Sequence, residues 1–556
     1  MLQPADELCV RISILAVCSY NAVNGVPSCA NDWLLKTVAR DAWGFDGYIT
    51  SDCGAENDVF ANHHFTQTPE EAVRDVLRAG TDIDCTSFMG KHAKSALSKG
   101  LISESEIDVR LANLFKVRMR LGHFDPLGPL DKIPTTEICT AGAKATARDG
   151  AAQGATLLKN EAAALPLKAS ATGKIAVLGP TANLSRAIAN YYGGNSCDND
   201  FANLIDSIAE AVPSARTTTA AGVTIGAGCK SDDTSGVAAA AALARAADAV
   251  VLALGTDLHC AREGQDADSI AFNAGQLALL TAVTNASSKP IVVVIFTAVP
   301  LDITPLLANP MVGAVLHVGQ PSVQTRGVAD VLFGLKSPGG RAIQTIYPAA
   351  YADQISIFDF NMRPGPSDWP RPDCKGPAAS CPRGVNPGRT YRFYTGKPVV
   401  EFGYGMSYTT FKYSLRSEPT AALSLTPLTV LLEASKAATG GVVGLPKLAR
   451  TAQSDIKYSV TVTNTGSVDS DDAVLGYLHP PGAGTGGRPL KSLFGFERVH
   501  VKAGESVTVW LYPSLTDFAF TGPTGERNAL AGEYRVSFGV QGVGMGFVET
   551  KLQTVQ

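Results

Sequence analysis

The first quarter of the chain alternates short apolar runs with amphipathic stretches. Apolar runs typical of buried strands occur in "ISILAVCSYN", "GYITSDC" and "TDIDC", and residues with helical spacing follow each of them. The helix in "TPEEAVRDVLRAG" is predicted to begin with a capping threonine and a proline at its first position. Strands that alternate with helices predict a parallel sheet or barrel within residues 1–125.

A second α/β pattern follows a linker. We interpret residues 126–172 as this linker, with one helix around "GAKATARDGAAQGATLLKN". Buried-strand patterns then recur, separated by helical stretches, in "KIAVLGP", "AVVLALG" and "KPIVVVIFTAVPLD". This order predicts a doubly wound α/β sandwich domain over residues 173–347.

The last third of the chain differs from the rest in composition and in the periodicity of its apolar residues. Residues 348–415 are rich in proline, glycine and aromatic residues with little periodicity, which favours an ordered connecting segment. Residues 416–452 are rich in Ala, Thr, Leu and Gly, and we predict a linker or variable loop there. Residues 453–556 alternate polar and apolar positions in short runs between turn residues, which predicts a β-sandwich. The fold class is therefore multidomain, α/β followed by all-β.

Composition narrows the function classes. The 556 residues are 45% hydrophobic and 18% charged with a net charge of -4, as expected of soluble globular domains. This small charge gives no electrostatic argument for a nucleic acid or an anionic membrane as a partner. No apolar run reaches the roughly 18–20 residues that span a bilayer. The opening residues carry Asp6 and Glu7 where a signal peptide has basic residues, so no signal peptide is predicted.

The cysteine pattern argues against a metal site. Eleven cysteines are scattered without the paired or histidine-flanked spacing of zinc ligands, so we expect neither a metal nor a cofactor. The odd number leaves at least one thiol unpaired within the chain.

Two acidic residues are candidates for chemistry. Asp52 follows the strand in "GYITSDC", and the carboxyl ends of parallel β/α strands are where catalytic side chains collect. The alternative is a helix-capping or turn aspartate. Glu263 lies in "GTDLHCAREGQDAD", the loop after a strand of the second domain, where open α/β sheets bind ligands. Its alternative is a solvated loop carboxylate.

Several motifs together resemble glycoside hydrolase family 3. They are "CSYNAVNGVPSCANDWLL", "GYITSDCGA", "AGTDIDC" and "NPGRTYRFYTGKPVVEFGYGMSYTTFKYSL", and they look most like the β-xylosidase and α-L-arabinofuranosidase branch. The resemblance covers the chain from Cys18 to about residue 550. It implies a TIM-type barrel, an α/β sandwich and a fibronectin type III-like domain, in that order.

The resemblance also implies a retaining mechanism and assigns residues to it. Asp52 matches the family's nucleophile, and Glu263 matches the acid/base of relatives with an "E-G-x-D" loop. Tyr20 matches a tyrosine that lines the subsite beside the nucleophile, although it also fits a packed tyrosine at a strand end. Position 267 departs from the family, because Ala267 stands where an arginine is expected.

Two further cysteines are assigned to the sugar pocket. Cys53 and Cys85 follow consecutive strands at the same level, within the reach of a disulfide. We predict that they form a bridge in the pocket wall, where a cysteine after the nucleophile suits a pentose. Cys374 and Cys381 are predicted to form a second bridge. The histidines after the Asp52 strand are interpreted as packing or solvated side chains.

The region before the second domain is shorter than the family's barrel. A complete barrel needs eight βα units, and residues 1–125 contain about three, which we interpret as its C-terminal part. The family's N-terminal sugar-binding residues, including a Lys-His pair, have no counterpart here. We therefore expect a truncated product with little or no activity. Extracellular localisation is expected from the family alone.

The predicted function is a retaining exo-glycosidase. Its substrates would be plant cell-wall oligosaccharides ending in β-xylosyl, possibly α-L-arabinofuranosyl, residues. One alternative is a non-catalytic carbohydrate-binding remnant of such a hydrolase. Another is a β-glucosidase, which Cys53 disfavours. The sequence leaves the oligomeric state open.

Overall fold

The computed structural model describes most of the chain. The described residues are 15–184, 196–230, 233–321, 324–419, 421–437 and 456–556. The interpretation of the opening residues as lacking a signal peptide falls outside this set, as does the second part of the predicted linker, over residues 438–452.

The first region is a small parallel β/α unit. Strands Leu15–Cys18 and Tyr48–Ser51 pair in parallel, with Cys18 opposite Ser51. The third predicted strand, "TDIDC", contributes only one parallel bridge, between Ile83 and Thr50. A short hairpin pairs Ala22–Val23 with Val26–Pro27. The helices of this region are Trp33–Ala42, Ala55–Ala61, Pro69–Ala79, Phe88–Ser98 and Glu104–Arg120.

The helix Pro69–Ala79 has the termini that its sequence predicts. Thr68 accepts a hydrogen bond from the backbone of Glu71, whose carboxylate accepts from the backbone of Thr68 in return. This capping box satisfies two amide groups that have no partner inside the helix. Gly80 ends the helix at a φ of 116°, a left-handed conformation that favours glycine.

A buried aspartate joins the elements of this unit. The side chain of Asp82 is fully buried and accepts hydrogen bonds from the backbone of Ile49 at 2.7 Å, Arg40 at 2.7 Å and Asn113 at 2.9 Å. Arg110 lies 3.0 Å away as a second positive partner. Asp82 thereby links one strand to two helices, so its role is structural rather than catalytic.

The second region is a doubly wound α/β domain, as predicted, but it begins before residue 173. Strand Thr156–Asn160, which lies in the predicted linker over residues 126–172, pairs with Val312–Gly319 as part of its sheet. The six-stranded sheet of the domain is buried on both faces by two hydrophobic clusters. The strand order is Thr156–Asn160, Val312–Gly319, Ile291–Phe296, Ala249–Gly255, Lys174–Leu178 and Arg216–Ala220. Only the first of these is antiparallel to its neighbour. The helices are Ala141–Gly154, Leu204–Ala211, Val237–Arg245, Ala274–Ala286, Thr304–Ala308 and Thr325–Leu332.

An ordered segment connects this domain to the next. It contains the helices Ala350–Gln354 and Thr390–Phe393 and a hairpin of Gly365–Pro370 with Arg383–Asn386. The predicted disulfide between Cys374 and Cys381 closes the tip of the hairpin.

The third region is a β-sandwich, as predicted. One sheet contains Phe411–Ser417, Tyr458–Asn464 and Ser506–Leu511. The other contains Leu423–Ser424, Phe547–Val555, Gly532–Gly539, Ser470–His479 and Ser492–Val501. A small pair joins Ala519–Thr521 to Arg527–Ala529. Where the sequence predicts a linker, helix Thr426–Ala437 buries leucines in the sandwich core, namely Leu428, Leu431 and Leu432.

Disulfides stabilise all parts of the chain except the sandwich. Besides the two predicted bridges, the structure has three others: Cys18–Cys29, Cys139–Cys197 and Cys229–Cys260. The eleventh cysteine, Cys9, lies outside the described residues. In the part of the chain that the structure describes, no helix has the length and apolar character of a membrane span.

Candidate active site

Asp52 stands at the carboxyl end of strand Tyr48–Ser51, where the sequence places it. Its backbone N–H donates to the carbonyl of Cys18 at 2.8 Å, which continues the pairing of the two strands. Its carboxylate accepts from the N–H of Cys53 at 2.8 Å. Gly54, with a φ of 95°, is the N-cap of the next helix, so the Asp52 side chain does not cap it. The half-buried carboxylate is therefore held by local bonds and still reaches solvent.

Tyr20 lies directly beside Asp52. Its hydroxyl donates to the carbonyl of Cys53 at 2.9 Å and contacts the Asp52 carboxylate at 3.2 Å. A ring nitrogen of His63 lies 2.7 Å from the Tyr20 carbonyl oxygen. The tyrosine is 39% exposed, so it is not the packed side chain of the alternative interpretation.

A disulfide between Cys53 and Cys85 forms the surface next to Asp52, as predicted. Both cysteines are exposed. The backbone N–H of Cys85 donates to the hydroxyl of Ser51 at 3.0 Å, which fixes the second half of the bridge against the strand. The wall beside the carboxylate is thus compact and carries no bulky side chain at position 53.

Glu263 lies at the tip of the loop that follows strand Ala249–Gly255. Backbone bonds of 2.9 Å in both directions pair Arg262 with Gln265 and close a tight turn. Gly264 occupies the turn with a φ of 73°, which a residue with a side chain rarely adopts. The turn leaves the Glu263 side chain exposed.

Asp52 and Glu263 both affect the pKa of the Tyr20 hydroxyl. The pKa of Tyr20 is raised, first by loss of hydration and then by the negative charge and hydrogen bond of Asp52. The charge of Glu263 raises it further, although Glu263 belongs to the other α/β domain. A tyrosine with a raised pKa stays protonated at neutral pH and keeps donating its hydrogen bond. Asp52 and Glu263, from two different domains, therefore both influence the hydroxyl of Tyr20.

The sequence analysis missed a third acid near the site. Glu56 lies four residues after Asp52, in the first turn of helix Ala55–Ala61, and is fully buried. Neither of its carboxylate oxygens has a hydrogen-bond partner among the described residues. Burial raises its pKa to about 7, and the negative charge of Asp84 adds to the rise. Its spacing to Val59 and Phe60 places it on the apolar face of the helix, which is a signal visible in the sequence.

Within the described ranges, no group of three His, Cys, Asp or Glu side chains is arranged to bind a metal ion.

Comparison with known proteins identifies the family. A model of the glycosyl hydrolase family 3 C-terminal domain matches residues 155–408, and a model of its N-terminal domain matches residues 10–117. A fibronectin type III-like domain matches residues 472–541. Beta-D-xylosidase 3 of Arabidopsis thaliana is 34% identical over 551 residues, covering 97% of this chain and 67% of that protein. The chain belongs to glycoside hydrolase family 3. This confirms the resemblance seen in the sequence motifs.

Other family 3 proteins give the same result. Probable beta-D-xylosidase 6 of Arabidopsis thaliana is 35% identical over 540 residues, covering 94% of this chain and 65% of that protein. A probable exo-1,4-beta-xylosidase of Aspergillus fumigatus is 36% identical over 554 residues, covering 97% and 65%. This chain therefore spans about two thirds of the length of these family 3 relatives.

Solved structures support the fold assignment. A GH3 exo-beta-xylosidase in complex with a xylobiose aziridine activity-based probe superposes with a TM-score of 0.84 at 29% identity. The match covers 99% of this chain and 67% of that chain. A beta-glucosidase of Listeria innocua, at 24% identity and a TM-score of 0.76, shares the fold.

Proposed function

We propose that this chain carries the two catalytic carboxylates of a retaining exo-glycosidase that removes terminal β-xylosyl residues from plant cell-wall oligosaccharides. The observation that carries the proposal is the contact of the Tyr20 hydroxyl with the Asp52 carboxylate at 3.2 Å. Loss of hydration, then the charge of Asp52 and then that of Glu263, raise the pKa of this tyrosine. We propose xylose as the sugar because these relatives are named as β-xylosidases. One relative, from Medicago sativa, is named for both β-xylosidase and α-L-arabinofuranosidase, so α-L-arabinofuranosides are included as a second substrate.

In the proposed mechanism, Asp52 is the nucleophile and Glu263 is the acid/base. Asp52 attacks the anomeric carbon, and Glu263 gives a proton to the departing oxygen, which leaves with the bonding electrons. Water then attacks the glycosyl-enzyme ester while Glu263 takes back a proton, and Asp52 is released. Retention of configuration requires the two carboxyl groups to approach to about 5–5.5 Å around the sugar. Asp52 attacks as the carboxylate, which the backbone N–H of Cys53 and the nearby Tyr20 hydroxyl hold in place.

The surface beside Asp52 suits a pentose. The exposed Cys53–Cys85 disulfide fills the position next to the nucleophile with a compact wall. A hexose would place its C6 hydroxymethyl group near a wall of this kind, whereas a pentose has none. We therefore propose Tyr20, Cys53 and Cys85 as substrate-contacting residues.

We further propose that turnover by this chain is weak. Among the described residues, strand Leu15–Cys18 pairs only with Tyr48–Ser51, and its alternate side chains Leu15 and Val17 are 42% and 57% exposed. In a closed barrel such side chains fill the interior. Exposure to water weakens the electrostatic stabilisation of a transition state, which depends on a dry and preorganised site.

The first test is covalent labelling, because it needs a nucleophile but not turnover. The protein is incubated with 2,4-dinitrophenyl 2-deoxy-2-fluoro-β-xyloside and digested, and the labelled peptide is sequenced by mass spectrometry. We expect one fluoroxylosyl group on Asp52 and none on Asp52→Asn. Asp58→Asn is the matched control, since Asp58 is a nearby acid whose carboxylate accepts a hydrogen bond from Asn62, and it should label like the parent. Labelling elsewhere, or none, would overturn the assignment.

The second test is turnover. With 4-nitrophenyl β-xyloside we expect a kcat/KM at least about 100-fold below that of an Arabidopsis relative, because small displacements of catalytic groups have effects of this size. Turnover equal to that relative would contradict the weak-activity proposal and leave the nucleophile assignment standing.

A non-catalytic sugar-binding role is the second candidate, favoured by the exposed face of strand Leu15–Cys18. It predicts that xylo-oligosaccharides bind, for example in calorimetry, while the fluoroxyloside leaves Asp52 unlabelled. The five disulfides favour an oxidising compartment for either role, and we propose an extracellular location.

A further inference from the structure

We propose that the disulfide Cys229–Cys260 is a positioning device that holds the Glu263 loop in the geometry needed for proton transfer. The inference rests on the proposed function, since it assigns a role to a tether of the acid/base loop. It concerns two residues that neither contact Asp52 nor belong to the sugar-binding wall.

The disulfide attaches the loop three residues before Glu263. Cys260 is 1% exposed, so this anchor lies inside the domain while Glu263 lies outside it. Its partner, Cys229, belongs to a separate loop that follows strand Arg216–Ala220. The two loops also share a backbone hydrogen bond of 3.0 Å from Gly228 to the carbonyl of His259. The covalent bond and the hydrogen bond act on neighbouring residues, so they restrain the same point.

The Cys229 side of the tether is itself fixed. The side-chain amide of Asn273 donates to the Cys229 carbonyl at 2.8 Å. Asn273 is also the N-cap of helix Ala274–Ala286, where its side-chain oxygen accepts from the N–H of Gln276. The disulfide therefore transmits the position of a well-packed helix to the loop.

The beginning of the loop is fixed by the same helix. The buried side chain of Gln276 accepts from the N–H of Gly255 and donates to its carbonyl, both at 2.9 Å. Gly255 is required here, because a Cβ would lie 1.9 Å from the carbonyl oxygen of Phe296. Helix Ala274–Ala286 thus fixes the start of the loop at Gly255 through Gln276. Through Asn273 and the disulfide, it also fixes the loop at Cys260.

The span between Cys260 and Glu263 is too short to absorb movement of the anchor. The side chain of Gln265 donates to the carbonyl of His259 at 2.6 Å, so the turn that carries Glu263 is bonded back to the anchored segment. A shift at Cys260 would move the Glu263 carboxylate with it. Because proton transfer depends on hydrogen-bond distance, such a shift affects the acid/base step before it affects nucleophilic attack.

The test uses two covalent probes that differ in their need for an acid. With the dinitrophenyl fluoroxyloside, Asp52 displaces a phenolate that leaves without a proton. With a xylose-configured aziridine, Asp52 forms the C1–O ester as the C1–N bond breaks, and the nitrogen takes a proton from Glu263. Labelling rates are measured by intact mass for the parent, for Cys229→Ser/Cys260→Ser, and for Cys374→Ser/Cys381→Ser as the control that removes a different bridge. Glu263→Gln serves as the reference for a lost acid.

We expect Cys229→Ser/Cys260→Ser to lose at least about tenfold in aziridine labelling while fluoroxyloside labelling stays within about twofold, as for Glu263→Gln. Equal loss with both probes would overturn the inference, since it would show a general effect on the fold. Unchanged labelling with both would overturn it while the proposed function stands. A parent that reacts with neither probe would refute the proposed function and this inference with it.

Hydrogen exchange provides a readout that is independent of chemistry. Removal of the Cys229–Cys260 bridge should accelerate amide exchange at Arg262 and Gln265, whose amides close the turn, with little change in helix Ala274–Ala286. Unchanged exchange at the turn would show that the hydrogen bonds alone position the loop, and it would overturn the role of the disulfide.

Discussion

Three acids lie close together in the first region, and their surroundings give each a different role. Asp52 is half-buried, accepts a hydrogen bond from the N–H of Cys53 and lies beside the Tyr20 hydroxyl. Asp82 is buried but has two arginines as partners. Glu56 is buried without a hydrogen-bond partner in the described structure, which favours its neutral form. The chemistry of each carboxyl group is therefore set by tertiary contacts rather than by residue type.

The buried Glu56 should make stability depend on pH. Its pKa is about 7 in the folded protein against 4.5 for an ordinary glutamate. Because the folded pKa is the higher one, its contribution to stability is complete below about pH 4.5 and is lost as the pH rises through about 7. By linkage, the free energy of unfolding should fall by about 3 kcal/mol between pH 5 and pH 8 relative to Glu56→Gln. The glutamine keeps the shape and cannot ionise.

The measurement is urea denaturation at both pH values. Trp33 lies in the first region, and replacing the other three tryptophans, Trp43→Phe, Trp369→Phe and Trp510→Phe, makes fluorescence report on this region. Trp43 is among those replaced because it packs against the sandwich core. Asp58→Asn, in the same helix, is the control and should keep the pH dependence of the parent. If the parent and Glu56→Gln lose stability equally, Glu56 is not the group responsible.

The sequence predicted part of this picture. Asp52 could be placed because strand patterns are local and the chain direction fixes which end carries the next residue. Cys53 and Cys85 could be paired because their strands are consecutive. The burial of Glu56 has a signal in its spacing to Val59 and Phe60, whereas the Cys229–Cys260 bridge could not be predicted, because it joins segments that meet only in the folded chain.

At the scale of single elements, local signals decided which predictions succeeded. Helix Pro69–Ala79 carries a capping threonine, an N-terminal proline and a C-terminal glycine, and its ends match the prediction. Helix Thr426–Ala437 carries leucines with helical spacing, but the composition around it indicated a linker. The spacing was the better signal there, because those leucines face a core that other parts of the chain provide.

The strand that carries Asp52 depends on the buried Asp82. Asp82→Asn keeps the size of the side chain but leaves Arg40 and Arg110 without a buried counter-charge. Breaking a buried ion pair in this way should lower the free energy of unfolding of the first region by about 3 kcal/mol. Urea denaturation followed through Trp33, with the other tryptophans replaced by phenylalanine, measures the change.

Asp46→Asn provides the control for Asp82. It removes an ion pair with Lys116 in which both side chains are exposed, and it should change stability by less than about 1 kcal/mol. Equal effects of the two substitutions would show that the Asp82 cluster does not support the strand.

At the scale of the whole molecule, the α/β domain is joined to the sandwich by a buried ionic contact. Arg341, from the end of the α/β domain, pairs with Asp472 on a sandwich strand, and the hydroxyl of Tyr413 donates to the same carboxylate at 2.7 Å. The side chain of Asp472 is fully buried, and that of Arg341 is nearly so. Arg341 also donates to the carbonyl of Gly405 at 2.8 Å, so the connecting segment joins the same contact.

This contact should make the two domains unfold together. Asp472→Asn leaves the Arg341 guanidinium buried without a counter-charge, an effect of about 3–5 kcal/mol. Since the loss falls on the contact between the domains rather than within either core, calorimetry should resolve separate transitions where the parent shows a coupled one. The neighbouring Asp471→Asn is the control, because Asp471 pairs with the exposed side chains of Arg498 and His500. A single transition in Asp472→Asn, at the temperature of the parent, would mean that apolar packing alone couples the domains.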